Sequence, residues 1–345
     1  MLASTILLIA LLGTAFLMPV PYAQMSPGPT YNTLGAQDGK PVITISGRRS
    51  YPADGHLNMV TVQVSTADFR MNLADLLAGW ISRTTDVVPR STIYPDNQTE
   101  QQSEQENAEE FASSTDTATA AALTKLGYKV GTEVVVGGVE AGAPAEGKLH
   151  AGDVITKVDG TAVATPDQVA PLITRHAPGQ SVVFTVVPQG KSASAAKQVT
   201  VGTVKNPQTG KAMVGITPST EHTFPFGVDI NLGDVGGPSA GLMFSLGIID
   251  KLTPGDLTGG AFVAGTGTID ADGKVGAIGG ITMKTIAARS AGARYFFTPA
   301  DNCAEALTSV PSGLRLIKVS TLNQALDDLA AIREGHTSGL PSCTR

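Results

Sequence analysis

From Lys211 to about Arg333 helix and strand signals alternate, and this alternation constrains the fold more than any other feature of the sequence. Ser239 to Lys251 is apolar nearly all round, which predicts a buried helix. "AFVAGTGTID" and "KVGAIGG" flank the turn Asp270-Ala271-Asp272-Gly273. A helix from about Thr282, the strand "RYFFTP", a short helix from Asn302 and the strand "LRLIKV" follow. Thr321 with Gln324 caps a last helix whose Leu322, Ala325, Leu326, Leu329 and Ala330 share a face. Such alternation implies an α/β domain.

A second unit with different punctuation precedes it, from about Leu126 to Val204. "EVVVGGV", the turn-rich "EAGAPAEGKLHAG", the strand "DVITKV" and the turn Asp159-Gly160 lead to a helix opened by Thr165-Pro166-Asp167-Gln168, a capping box with proline at the first helical position. "SVVFTVV" and "KQVTVGTV" close the unit. The stretch "GVEAGAPAEGKLHAGDVITKVDGTAV" resembles a bacterial PDZ domain over roughly eighty residues, within the range of a small domain. PDZ domains add an extended peptide to a sheet edge beside a helix, so the resemblance implies either peptide capture or a module that spaces or gates its neighbour. "KLGYKVG", with Gly127 and Tyr128, is the candidate carboxylate-binding loop, although it departs from the family's Gly-apolar-Gly-apolar pattern; the peptide-binding residues are left unassigned.

Upstream, "VITISG" and "NMVTVQVS" predict strands after a Pro/Gly-rich exit, "SPGPTYNTLG". In "NLADLLAGWI" the residues Leu73, Leu76, Leu77, Trp80 and Ile81 share a helical face, which predicts a core position for the single tryptophan. Pro89 and Pro95 mark a boundary. Thr99 to Ala118, "TEQQSEQENAEEFASSTDTA", is expected to form a solvated helix or linker. At the N-terminus Leu2 to Val20 carries no charge and as a helix would span roughly 28 Å, close to the hydrocarbon thickness of a bilayer. The reading adopted is an uncleaved membrane anchor, with the rest of the chain outside the cytoplasm. A cleaved signal peptide and a buried core helix are its rivals; the basic flank expected of a signal peptide is missing, which also leaves room for a start further upstream.

The 345 residues carry 24 basic and 30 acidic side chains, with no Lys/Arg stripe, so nucleic acid is not an expected partner. Two cysteines without a CxxC and five histidines without an HExxH give no metal site. No cofactor is expected. Cys303 and Cys343 either form a disulfide in an oxidising compartment or are two free thiols.

The chemistry concentrates in "GDVGGPSAGLMFSLG". Ser239 there has three readings. As a helix N-cap it would merely satisfy free N–H groups. As the G-x-S-x-G of an α/β-hydrolase it lacks a hydrophobic strand directly before it, and the only later histidine, His336, lies in the tail. As a nucleophile served by lysine it has Gly236 and Gly237 beside it, leaving backbone and room for a substrate carbonyl, and a helix N-terminus for a developing oxyanion. Lys284 follows among Ile281, Met283, Ile286, Ala287 and Ala288, an apolar setting that favours the neutral amine.

"GGPSAG", "GTGTI" and "GAIGGITMKTIAARSAGA", in this order and spacing, are similar to the proteolytic domain of Lon proteases. With the anchor and the PDZ-like unit, the chain resembles the membrane-anchored, PDZ-containing Lon-like proteases of bacteria. The resemblance implies Ser239 as nucleophile, Lys284 as general base and acid, and Thr266 as a hydroxyl orienting the pair. One departure is Gly236, where Lon enzymes commonly carry an acidic residue; Asp234 is displaced from that place. The resemblance also implies protein or peptide substrates and a homo-oligomeric ring, of six proteolytic domains. "GTIDADGKV" and "QTGKAM" do not meet the phosphate-loop pattern, so ATP is not an expected partner.

The expected organisation is therefore an α/β (α+β) Lon-type proteolytic domain with an inserted or preceding PDZ domain and an N-terminal transmembrane helix. Residues 1–23 are the anchor and 24–124 an extracytoplasmic region holding the first protease strands and a linker helix. Residues 125–205 are the PDZ domain, 211–333 the proteolytic domain and 334–345 a tail. The alternative is a catalytically inactive PDZ/Lon-like scaffold at the membrane.

Overall fold

The computed structural model describes residues 2–94, 99–233 and 235–344, which leaves Pro95 and Asp234 of the sequence reading outside the described residues. The chain forms two compact units, one made of Met1–Tyr128 with Phe226–Arg345 and the other of Lys129–Pro225.

The first unit is built on a six-stranded sheet in the order Arg315–Val319, Tyr295–Pro299, Phe262–Gly265, His56–Val64, Tyr22–Asn32, Asp86–Pro89. The first four strands are parallel and the last two pair antiparallel, giving a mixed α/β sheet. The helices are α1 (Leu2–Leu17), α2 (Leu73–Ile81), α3 (Arg90–Ile93), α4 (Glu100–Lys125), then α5 (Val169–Ile173) in the second unit, α6 (Gly241–Leu252), α7 (Ile281–Ser290), α8 (Cys303–Ala306) and α9 (Leu322–Arg333). As its all-round apolar sequence requires, every residue of α6 except Lys251 is buried. Each fully buried Leu, Ile or Phe there contributes about 1.5–3 kcal/mol. Thr321 caps α9 as expected, accepting from the Gln324 N–H at 3.2 Å.

Several expectations change. The stretch "YAQMSPGPTYN" is a strand rather than a loop, because a register shift between Pro27 and Thr30 lets the prolines sit where no ladder N–H is needed. Of the two readings of residues 99–118 the helix holds, solvated as expected as far as Ser113, and the linker does not. Thr99 and Gln102 form a capping box, and the helix runs on to Lys125 with Ser114 and Ala118–Leu123 buried. This second half packs along α6, where Ser245 Oγ donates to the Ala118 carbonyl at 3.0 Å.

Among the described residues no helix is long and apolar enough to cross a membrane. The expected Leu2–Val20 span stops at Leu17, and its 16 residues reach about 24 Å where a hydrocarbon core needs about 30 Å. Pro19 and Pro21 supply no N–H to extend it, and the chain is captured by another element: Pro19 bridges to Asn72, and Val20 N–H donates to the Met71 carbonyl at 2.8 Å. The core position expected for Trp80 is also overturned. Only Leu76 and Gly79 of α2 are buried, while Trp80 is 62% and Ile81 85% exposed. A Cβ at Gly79 would lie 2.3 Å from Val87, so the helix rests on the Asp86–Pro89 strand through its narrowest face and turns the tryptophan away.

The second unit is an antiparallel sheet in the order Lys197–Gly202, Ser181–Val187, Val154–Val158, Gly131–Val139, Ile216–Thr223, closed over α5 by a core that includes Val136, Leu149, Ile155, Val169 and Phe184. Asp159 and Gly160 both take positive φ, the conformation that an Asp-Gly hairpin turn supplies. The unit ends at Pro225, later than the expected 205, because Ile216–Thr223 pairs along the whole of Gly131–Val139. "KLGYKVG" does not act as one loop. Gly127, at φ 79°, ends α4, and Tyr128 meets the edge of Phe226 at 5.0 Å between centroids, with Arg48 over both rings. The two residues where the chain leaves and re-enters the first unit are thus in contact.

At the other end, Cys303 and Cys343 are joined by a disulfide. Arg315 donates to the Thr337 and Leu340 carbonyls and Lys318 N–H to the Pro341 carbonyl, so residues 337–343 lie against the last strand.

Candidate functional site

The loop after the Gly227–Ile230 strand delivers Ser239 two residues ahead of α6. The N-cap is Ala240, without a side-chain bond, so capping does not account for the serine. The N-terminus of α6 is served by backbone instead: Leu242 N–H donates to the Gly267 carbonyl at 3.1 Å, and Gly267 N–H to the Ser239 carbonyl at 2.8 Å. Gly237 takes φ 88°, a conformation open to glycine at no steric cost.

The Ser239 hydroxyl lies 2.8 Å from Lys284 Nζ. Lys284 is one turn into α7 and 3% exposed, and burial lowers its pKa from the usual lysine value to about 8. Thr266, fully buried at the end of the Phe262–Gly265 strand, joins them. Its Oγ1 donates to the Ser239 carbonyl at 2.9 Å and accepts from Lys284 Nζ at 3.3 Å. The hydroxyl has one hydrogen, which the carbonyl takes, so its lone pairs face the amine. Ser239, Lys284, Thr266, Gly236 and Gly237 therefore converge on one place. A neutral amine held there can accept a proton from the serine. Among the described residues no histidine lines this site, and no strand runs directly into Ser239, which leaves the hydrolase reading without its base or its elbow.

Sequence reasoning missed the part played by α4. The Asn107 carbonyl accepts from Gly237 N–H at 2.8 Å, and Ser114 Oγ donates to the Pro238 carbonyl at 3.0 Å. The Pro238–Ser239 peptide is trans, so fixing its carbonyl on Ser114 aims the Ser239 N–H the opposite way. Among the described residues that N–H takes no partner. A Cβ at Gly236 would lie 2.7 Å from Asn107 Cβ, which is a physical reason for glycine at this place. The signal in the sequence was the Thr99/Gln102 box followed by the small-residue run from Ala112, a helix with one close-packing half.

Ser239 and Lys284 open into a groove of about 1120 Å³. Its walls come from Met25, Val62 and Val64 of the sheet, Glu104 and Asn107 of α4, and Ile278 before α7. Apolar side chains and the Gly236–Gly237 stretch share the lining with polar groups such as Glu104 and Asn107, which suits an extended peptide better than a compact polar ligand.

Comparison with known proteins fits this geometry. A PDZ domain model matches residues 102–199, and the model of the Lon protease (S16) C-terminal proteolytic domain matches 225–331. The PDZ match begins within α4, although that helix packs in the first unit. Lon protease 2 of Bacillus subtilis (strain 168) is 33% identical over 138 residues, 39% of this chain and 23% of that protein. Lon protease of Chloroflexus aggregans (strain MD-66 / DSM 9485) is 36% identical over 118 residues, 32% of this chain and 14% of that protein. The chain thus spans less than a quarter of the length of these curated relatives. Among solved structures, the PDZ domain of the SdrC-like protein from Listeria monocytogenes is 28% identical, covering 25% of this chain and 86% of that one at a TM-score of 0.23. The counterpart from Listeria innocua is 26% identical, covering 25% and 92% at 0.23. Together, a PDZ-like stretch and a Lon-type proteolytic stretch on one chain, with Lon proteases as relatives, support a PDZ-containing Lon-like protease.

Proposed function

We propose that the chain is an ATP-independent serine endopeptidase in which Ser239 is the nucleophile and Lys284 the general base and acid. The observation that carries this is the 2.8 Å approach of a buried amine to the serine hydroxyl. In its neutral form Lys284 donates to Thr266 and presents its lone pair to the Ser239 proton. Oγ attacks the scissile carbonyl as that proton moves to Nζ, and the oxyanion forms against the Ser239 N–H at the head of α6. The ammonium then protonates the leaving amine, and water, activated by the regenerated amine, hydrolyses the acyl-enzyme.

The expected substrates are flexible or already unfolded polypeptides that can lie extended in the groove. The Ile216–Thr223 strand is the edge of the second unit's sheet, where a peptide could be captured or a gate formed. The family resemblance further supports a homo-oligomer, a hexameric ring. For location, α1 carries no charge and buries none of its residues, and the Cys303–Cys343 bond belongs to an oxidising compartment, so the chain is attached to a membrane through α1 with its bulk outside the cytoplasm.

A fluorophosphonate probe should label the parent protein and leave Ser239→Ala unlabelled. The scaffold alternative draws on one contact, the Asn107 carbonyl that occupies the Gly237 N–H. Absence of labelling, peptide turnover and self-cleavage in the parent would decide for it.

A further inference from the structure

Helix α2 presents two stripes. Leu76 and Gly79 face the Asp86–Pro89 strand, while Leu77, Trp80 and Ile81, spaced as neighbours on a helix surface, face outward at 36%, 62% and 85% exposure. Phe69, just before the helix, is 42% exposed as well. An isolated exposed apolar residue needs no explanation, but four beside an uncharged helix form a patch.

That neighbour is α1. Leu73 N–H donates to the Met18 carbonyl at 3.2 Å, and the Pro19–Asn72 bridge fixes the exit of α1 to the start of α2. Along α1, Ile6, Leu7, Leu11, Leu8 and Ile9 are spread all round the helix and none is buried. A protein partner would cover one stripe of such a helix and leave the remaining apolar surface in water; lipid covers it all round. Arg70 and Arg83 bracket α2 in the chain and are exposed, as are Asp68 and Asp75.

We infer that the outward stripe of α2, Leu77, Trp80 and Ile81 with Phe69, is a second membrane-contacting surface that lies in the headgroup layer beside the root of α1. Tryptophan suits this depth because its ring is apolar and its indole N–H can reach water or lipid carbonyls. Arg70 and Arg83 meet lipid phosphates. The apolar face reaches the acyl boundary, as in an interfacial helix. The inference rests on the membrane attachment proposed above.

Trp80 is the single tryptophan, so its fluorescence reports on this stripe alone. The full chain is reconstituted with phosphatidylethanolamine/phosphatidylglycerol vesicles and floated on a density gradient. Its emission is then read with acyl chains brominated near the headgroup or near the bilayer centre. The expected result is flotation, a blue-shifted Trp80 emission, protection from aqueous iodide and stronger quenching by the shallow bromines. Leu77→Ser with Ile81→Ser should lower that protection several-fold while flotation through α1 persists. Flotation with water-like emission and full iodide access would overturn the α2 surface and leave the attachment standing. Failure to float would overturn both. A blue shift that grows with protein concentration in the absence of vesicles would assign the stripe to a second copy of the chain and overturn the lipid assignment.

Discussion

Lys284 is 3% exposed, and the cost of burying an ammonium brings its pKa down to about 8. In the proposed mechanism the working form is the neutral amine, so turnover should climb as pH rises through about 8, well above the histidine range near 6.5. Lys284→Arg should be as inactive as Lys284→Ala, since a guanidinium does not give up its proton, while either variant still folds. A pH–rate profile with both variants checks this; wild-type-like turnover by the arginine variant would sink the lysine-base assignment. Ser114 acts one step further out, holding the carbonyl whose peptide aims the Ser239 N–H. Ser114→Ala should slow probe labelling and kcat by about tenfold, the scale of one weakened oxyanion donor at the lower end, with KM unchanged. A rise in KM alone would point to a wall of the groove instead. Ser239 and Lys284 were legible because their surroundings are local: glycines, a proline and apolar helices sit next to them in the chain, whereas Thr266 came only from the resemblance to Lon proteases. Asn107 and Ser114 were not, because what they touch lies more than a hundred positions away and serine or asparagine on a polar helix looks solvated.

Among the elements, those with strong period were read with their approximate bounds: the Gly131–Val139, Ser181–Val187 and Arg315–Val319 strands, and α6, α7 and α9. The Tyr22–Asn32 strand was hidden because its two prolines signal a loop, and only the pairing partner reveals a bulge that tolerates them. Leu77, Trp80 and Ile81 follow helical spacing faithfully, yet period alone cannot say whether protein or lipid covers a face. In α4 the buried half is made of Ala, Ser and Thr with a single large apolar residue, Leu123, so it is small enough for close approach to α6 and does not register as a core stripe. The C-terminal segment is held by a covalent link whose loop of 40 residues gives it roughly 3–4 kcal/mol by the chain-entropy account. Cys343→Ser, or reduction, should lower the thermal midpoint accordingly, and alkylation of the unreduced protein followed by mass measurement should add nothing at either cysteine.

At the scale of the whole molecule, one unit is interrupted by another, and the interruption begins and ends at touching residues, Tyr128 and Phe226. Replacing 129–225 with a short glycine/serine linker should therefore leave the first unit folded and Ser239 still open to the probe. Calorimetry and labelling would test this, and an unfolded product would show that the inserted unit supports its host. The same interruption sets an order of assembly. The His56–Val64 strand finds its parallel neighbour only at Phe262–Gly265, some two hundred residues later, whereas the inserted sheet draws all its strands from 131–223. During synthesis the insertion can complete itself while the six-stranded sheet of the first unit still lacks half its strands. On the proposed Ser-Lys mechanism Ser239 has no base until the chain has emerged past α7, so an endopeptidase of this kind would stay chemically silent through the interval in which its own unfolded segments are most exposed.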